Sequence, residues 1–302
     1  MCHPMAVTAA SVRSRSRVSA YVALTKPRII ELLLVTTVPT MVVAARGLPS
    51  GWLVLATLIG GTFAAGGANA INMYLDRDID RIMKRTRNRP LVTGEIEPAN
   101  ALTFAIALEI VAFALLWTTV NPISAVLAVS ATLFYVFVYT LWLKRTSTNN
   151  IVIGGAAGAV PVLVGWSAVT GGLGLAPFVL FGLIFVWTPP HFWALAIRYR
   201  EDYAMAEVPM LPAVASMDDT CRAIERYTVV VLALSLVLAP AAHLGVLYLA
   251  SAVVLGAVFL LRAVQLRRDP TPRRAMQLFA WSITYVTLLF SAMALDQLLR
   301  SL

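Results

Sequence analysis

The chain has 302 residues, of which 59% are apolar and only 13% charged. That is about half the charged share of an ordinary soluble domain, so a water-soluble fold is excluded and the chain belongs in a bilayer. Its net charge of +9 does not indicate nucleic acid, because the basic residues fall in short segments between apolar runs, the pattern that orients membrane proteins. Cys2 and Cys221 are far apart without a CxxC partner, so neither a disulfide framework nor a cysteine metal knuckle is predicted.

The first seventeen residues are rich in Arg and Ser and lack acids, with Arg13, Arg15 and Arg17. They read as part of a polar basic cytoplasmic tail over residues 1–25, an organellar transit peptide being the alternative. Residues 26–302 read as a single polytopic domain. About nine apolar runs approach or reach the ~20 residues needed to cross a ~30 Å hydrocarbon core. They lie near 29–45, 52–74, 100–119, 122–143, 151–169, 174–196, 227–243, 245–262 and 277–298. With the N-terminus in the cytoplasm, 22 of the 24 Lys and Arg residues fall on that side, leaving only Arg46 and Arg300 across the membrane. The expected fold is therefore an all-α integral membrane bundle of about nine transmembrane helices, N-terminus cytoplasmic and C-terminus on the opposite side. The long loops 75–99 and 197–226 follow the second and sixth runs, which suggests a four-helix unit used twice with one helix added.

At the end of the second run stands Asn72-Met-Tyr-Leu-Asp76-Arg-Asp-Ile-Asp80. Residues four apart share a helix face, so Asn72, Asp76 and Asp80 form a ladder of hard oxygen ligands suited to Mg²⁺ with substrate phosphate. Arg77 and Arg81 follow the ladder carboxylates, and Lys84, Arg85, Arg87 and Arg89 follow in the same loop. Such cations can hold a diphosphate and stabilise it as it leaves; the same residues would also serve as orientation markers. After the sixth run, Arg198 and Asp202 are four apart. If the halves are related, Asp202 comes down opposite the ladder as a second metal ligand; the alternative is a plain helical ion pair. Lys144 and Arg145 in the short third cytoplasmic loop lie at the membrane surface, where they suit a diphosphate. Carboxylates, cations and an apolar interior together describe a site for an amphiphile with an anionic head, for which a polyprenyl diphosphate is the natural candidate. Ionisation of its allylic C–O bond gives a carbocation that the bundle shields from water.

The Asn72/Asp76/Asp80 ladder resembles the first aspartate-rich motif of the UbiA superfamily of intramembrane prenyltransferases. Further stretches narrow the resemblance to its haem-farnesylating branch. These are Leu24-Thr-Lys26-Pro27-Arg28, Asp76 through Arg87-Asn88-Arg89-Pro90-Leu91, and Tyr139 through Lys144-Arg145. They continue with Asn150 through Gly154-Gly155 to Pro161, Pro190-His191-Phe192-Trp193 through Asp202-Tyr203, and Pro209-Met-Leu-Pro212. The resemblance runs over roughly residues 20–298. It implies transfer of the farnesyl group of farnesyl diphosphate to a vinyl group of haem B, with addition of water, giving haem O and diphosphate in a bacterial inner membrane. It implies Mg²⁺ as cofactor, Asp76, Asp80 and Asp202 as catalytic residues, Asn72 with them as metal ligands, and Lys26, Arg77, Arg81, Lys144, Arg145 and Arg198 around the diphosphate. Arg198 stands where the superfamily's second motif usually carries an acid, which leaves the number of metal ions open. His191 either meets haem iron or is a helix-kink histidine bonded within the bundle. A haem A synthase or an oxidase assembly factor is the partner the pathway implies.

Two rival readings follow from the same residues. Another prenyltransferase with an aromatic acid or quinone-precursor acceptor is the nearest. A small-solute transporter would also use repeats, but its charges would lie near mid-membrane, whereas these gather at one face.

Overall fold

The structure, a computed structural model, describes residues 16–302 apart from the side chains at 28, 29 and 32–34. Arg13 and Arg15 of the expected tail, and any transit peptide, lie outside the described residues. Every regular element described is helical.

The end of the expected tail is α1 (Arg17–Thr25), opened by Ser16, whose Oγ accepts the Ser19 N–H. Its Ala20 and Leu24 are buried on the bundle while Val18 and Val22 face outward. After Lys26 come α2 (Pro27–Ala45) and α3 (Gly51–Leu75), then the short α4 (Arg77–Ile82) and α5 (Pro90–Thr93), and α6 (Pro98–Thr119). The helix α7 (Pro122–Leu133) widens into a π-helical segment, Phe134–Leu143, and ends as α8 (Lys144–Thr146). The second half comprises α9 (Asn150–Thr170), α10 (Leu175–Arg198), the short α11 (Arg200–Met205) and α12 (Leu211–Val214), α13 (Met217–Ala241), α14 (Val246–Arg268) and α15 (Pro272–Ser301).

Among the described residues eight helices are long and apolar enough to cross a bilayer: α3, α6, α7 through α8, α9, α10, α13, α14 and α15. The run expected first, near 29–45, coincides with α2, whose described apolar stretch is Val35–Ala45. Three boundaries move. The runs near 227–243, 245–262 and 277–298 are Met217–Ala241, Val246–Arg268 and Pro272–Ser301. Arg222, Arg226, Arg262, Arg267, Arg268, Arg273 and Arg274 are thus helical rather than loop residues. The backbone keeps its hydrogen bonds beyond the apolar window. The polar turn at the start of α13 closes on itself through Arg222 with Asp218 and Asp219, and Arg267 of α14 pairs across to Glu225 of α13. Ser216 and Thr271 supply the N-caps.

The long helices pack in a closed ring: α3 on α6, then α7, α9, α10, α13, α14, α15 and α2, which returns to α3 and also crosses to α9. The ring's outside is apolar, with Ile110 on α6, Val237 on α13 and Val254 on α14 turned outward. Trp142 is exposed at the charged end and Trp52 and Trp117 at the other, as expected of interfacial anchors. A surface of this kind is stable only against lipid, so the protein is an integral multi-pass membrane protein.

Candidate active site

The carboxylate ladder forms at the joint between α3 and α4. Asp76 leaves α3 with φ −89° and ψ 12°, yet Asp76 N–H still donates to Asn72 O at 2.9 Å and Asp80 N–H to Asp76 O at 2.8 Å. The four-residue spacing therefore survives the bend. Asn72, Asp76 and Asp80 are at most 3% exposed. Buried carboxylates need partners, and each finds a cation. Lys144 forms a short ion pair with Asp76, and Arg145 Nη2 lies 3.8 Å from its other oxygen. Arg89 holds Asp80 at 2.6 Å. Asn72 binds on both sides: its oxygen accepts from Lys26 Nζ at 2.7 Å, and its amide donates to Asp76 at 2.7 Å and to Thr140 Oγ1 at 3.2 Å.

The π-helical segment explains how Thr140 reaches Asn72. Its hydroxyl donates to Tyr135 O, five residues back, at 2.8 Å, the reach of a π turn rather than an α turn. The widened turns also stack Tyr135 on Tyr139, with ring centroids 5.3 Å apart, at the mouth of an internal cavity.

The second acidic position joins the first through the backbone. Asp202, 5% exposed at the start of α11, accepts the Arg85 N–H at 3.3 Å, a contact between residues 117 apart in sequence. Arg198 is exposed beside the Tyr199 ring and forms no ion pair with Asp202. Tyr203 is buried next to Asp202; burial raises its hydroxyl above the ordinary range, opposed by Arg85. The Lys26 ammonium is pushed well below its usual range, first by burial and then by Arg89 and Lys144, with Asp76 and Asp80 pulling the other way.

The remaining predicted residues divide. Arg145 grips Asp78 with two bonds of 2.7 and 2.9 Å, which holds Asp78 down to about 2, its hydrogen bond from Arg145 being the main cause. Arg77 lies over the Tyr74 ring at 4.1 Å with Nη1 buried and unbonded, and Arg81 is exposed. His191 is stacked between Trp187 and Phe279, with centroids 4.3 and 4.6 Å away, and Nδ1 is bonded to Ser282 Oγ at 2.7 Å. It packs from α10 against α15 and does not itself line the cavity, although Thr188 and Phe192 on either side of it do. Sequence reasoning missed Thr140 and the pairing of Arg89 with Asp80. It also missed Glu109, an acid inside α6 whose carboxylate accepts from Thr132 at 3.1 Å.

Among the described residues no three acidic, His or Cys side chains form a ready metal cage. The donor set nonetheless fits Mg²⁺. Asp76 Oδ1 is buried with no hydrogen-bond partner, and the nearby donors are hard oxygens of the kind Mg²⁺ combines with substrate phosphates.

Below the charged mouth lies a cavity of about 290 Å³ between α2, α3, α7 with its π-helical continuation, α9 and α10. Its walls are Ala, Gly and a few larger apolar residues, with Asn69 and Tyr139 towards the charged end and Thr57, Leu58 and Val164 at the far end.

A ring of membrane helices around an apolar cavity whose mouth gathers carboxylates and cations defines an intramembrane prenyltransferase, and the chain belongs to the UbiA prenyltransferase family, whose pattern matches residues 33–288. The chain is similar to proteins named protoheme IX farnesyltransferase. It is 54% identical to that of Parafrankia sp. (strain EAN1pec) over 290 residues, 95% of this chain and 93% of the relative. It is 52% identical to that of Streptomyces coelicolor over 291 residues, 94% of this chain and 92% of the relative. The fold matches a solved digeranylgeranylglyceryl phosphate synthase with a TM-score of 0.76 at 18% identity, covering 93% of this chain and 98% of that one. It also matches a UbiA homologue from Archaeoglobus fulgidus bound to DMAPP and Mg²⁺, with a TM-score of 0.62 at 16% identity, covering 90% and 99%.

Proposed function

We propose that the protein transfers the farnesyl group of farnesyl diphosphate to a vinyl group of haem B, with addition of water, giving haem O and diphosphate. The observation that carries the reading is the juxtaposition of a charged mouth, Asp76 with Lys144 and Asp80 with Arg89, and an apolar cavity directly below it. The acceptor follows from the similarity to relatives named protoheme IX farnesyltransferase.

Lys26, Lys144 and Arg145 bind the diphosphate head, with Arg77, Arg81 and Arg198 as further cations at this end. Asn72, Asp76, Asp80 and Asp202 hold Mg²⁺, which when bound supplies Lewis-acid neutralisation of the diphosphate. Lys144 and Arg89, which now close on Asp76 and Asp80, would turn to the phosphates of a bound donor, leaving those carboxylates to hold the metal. That exchange keeps the mouth near neutral in both states, so no buried charge is left uncompensated. Lys26, Lys144 and Arg145 then stabilise charge developing on the leaving group. The walls below, with the Tyr135 and Tyr139 rings, exclude water from the allylic cation until the haem vinyl carbon attacks it. His191 is the haem-facing residue: both ring faces and Nδ1 are engaged, leaving Nε2 to meet the iron. The mouth is proposed to open on the cytoplasmic side of a bacterial inner membrane; the basic residues gathered at this end support that side.

The test is diphosphate release by the purified protein from farnesyl diphosphate, with haem B and Mg²⁺ each present or omitted. The reading predicts release that needs both. Release equally fast without haem B would assign the acceptor elsewhere.

A further inference from the structure

Two glycines in the cavity wall have no packing reason to be glycine. In α3 and α9 most glycines let another element approach. A Cβ on Gly60 would meet Leu116 at 2.6 Å, on Gly67 the Glu109 carboxylate at 2.7 Å, on Gly165 the Thr37 backbone oxygen at 2.9 Å, and on Gly154 the Tyr139 ring. Gly61 and Gly158 differ. Both line the cavity, and no atom stands within 4 Å of where their Cβ would be. Glycine inside a helix is unfavourable relative to alanine, so these two positions give up helix stability to keep the cavity wide.

Their depths differ. Asn72 bonds Thr140, and Gly154 packs on the adjacent Tyr139, so Asn72 and Gly154 share a level at the mouth. Gly158, one turn further along α9, lies about 6 Å deeper, and Gly61, eleven residues back along α3, about 16 Å deeper, at ~1.5 Å per residue. An extended peptide advances about 3.6 Å over three bonds, so an extended carbon chain advances about 1.2 Å per bond and an isoprene unit of four bonds about 5 Å. Measured from the mouth, two units reach about 10 Å and three about 14 Å on the same scale. The third unit therefore comes within about 2 Å of the level of Gly61, and the second stops about 6 Å short of it.

We infer that Gly61 is the chain-length gauge of the donor site: its missing side chain makes room for the third isoprene unit, whereas Gly158 lines the path shared by shorter and longer donors. This inference rests on the proposed prenyl transfer and adds which residue selects the donor.

The experiment uses the full chain in lipid nanodiscs with haem B and Mg²⁺, offered geranyl or farnesyl diphosphate, with haem products read by mass spectrometry. Gly61→Leu is expected to lower the farnesyl-to-geranyl ratio of kcat/KM at least tenfold while geranyl transfer is retained or gained. Gly61→Ala, whose methyl meets nothing, is expected to move the ratio the same way by a smaller factor with an unchanged or higher melting temperature; it serves also where the leucine variant does not fold. Gly158→Leu is expected to depress both donors together. An unchanged ratio in both Gly61 variants, equal loss of both donors in Gly61→Leu, or a ratio shift in Gly158→Leu as large as in Gly61→Leu overturns the gauge. A wild-type protein that prenylates no haem from either donor overturns the proposed reaction itself.

Discussion

Asp76→Ala removes a carboxylate that is wholly buried and paired with Lys144, whose side chain is only 13% exposed. The ammonium is left largely buried without its carboxylate. Taking one partner from a buried ion pair costs about 3–5 kcal/mol. For a chain of this size each kcal/mol is about 2–4 °C, so the apparent melting temperature falls by roughly 10 °C. Asp76→Asn keeps the shape and the contact with Asn72 but sheds the charge, and costs about 1–3 kcal/mol. Stability thus separates the two variants, while turnover does not. Both lose the oxygen anion proposed to hold the metal, and each is expected to fall at least ~10³-fold in kcat, about 4 kcal/mol of transition-state stabilisation. The assay combines size-exclusion of the detergent-extracted protein, a thermal aggregation curve and haem product per hour. Asp76→Asn that elutes like wild type and keeps more than a tenth of its turnover would refute the assignment.

Asp78, the middle acid of the same run, is 62% exposed in its side chain; Asp78→Ala is expected to keep turnover within about threefold and stability within ~1 kcal/mol, as surface pairs do. Because Arg145 lowers Asp78 from 3.8 to about 2, its contribution is fully present above the unfolded value and is lost only as pH falls through about 2, so wild type and Asp78→Ala should share one pH profile near neutrality. On the opposite end, Asp296 is 3% exposed and accepts the Gly245 and Tyr248 N–H groups at 2.6 and 3.2 Å, capping α14 from α15. Asp296→Ala should cost about 2–4 kcal/mol in thermal stability and leave kcat within twofold. His191→Phe preserves the stack between Trp187 and Phe279 and should abolish the absorbance change on adding haem B; an unaltered spectrum on titration would remove His191 from haem binding.

The long helices were legible because each crossing leaves a continuous apolar run, and the ladder because its four-residue spacing survives the bend at Asp76. The polar ends of α13, α14 and α15 were not, since hydropathy reports the bilayer and not the hydrogen bonds that carry a helix past it. All of α1 reads as tail, since only Ala20 and Leu24 of its nine residues are buried and it has no apolar run long enough to cross a bilayer. No local pattern announces the π-helical segment; it depends on Thr140 choosing Tyr135 O and Asn72 as partners. The meeting of Asp202 with Arg85 N–H is a tertiary contact between residues from different halves of the chain. Glu109 did carry a signal, as a lone acid within an apolar run, which membrane physics treats as a site by default.

The central claim is tested most directly by expressing the chain in a bacterial host that lacks its own haem O synthase and analysing the extracted membrane haems by mass spectrometry. The account predicts haem B carrying one farnesyl unit and one water, present with the wild-type chain and absent with Asp76→Asn. Haem B left unmodified in membranes that contain the folded wild-type protein would contradict it.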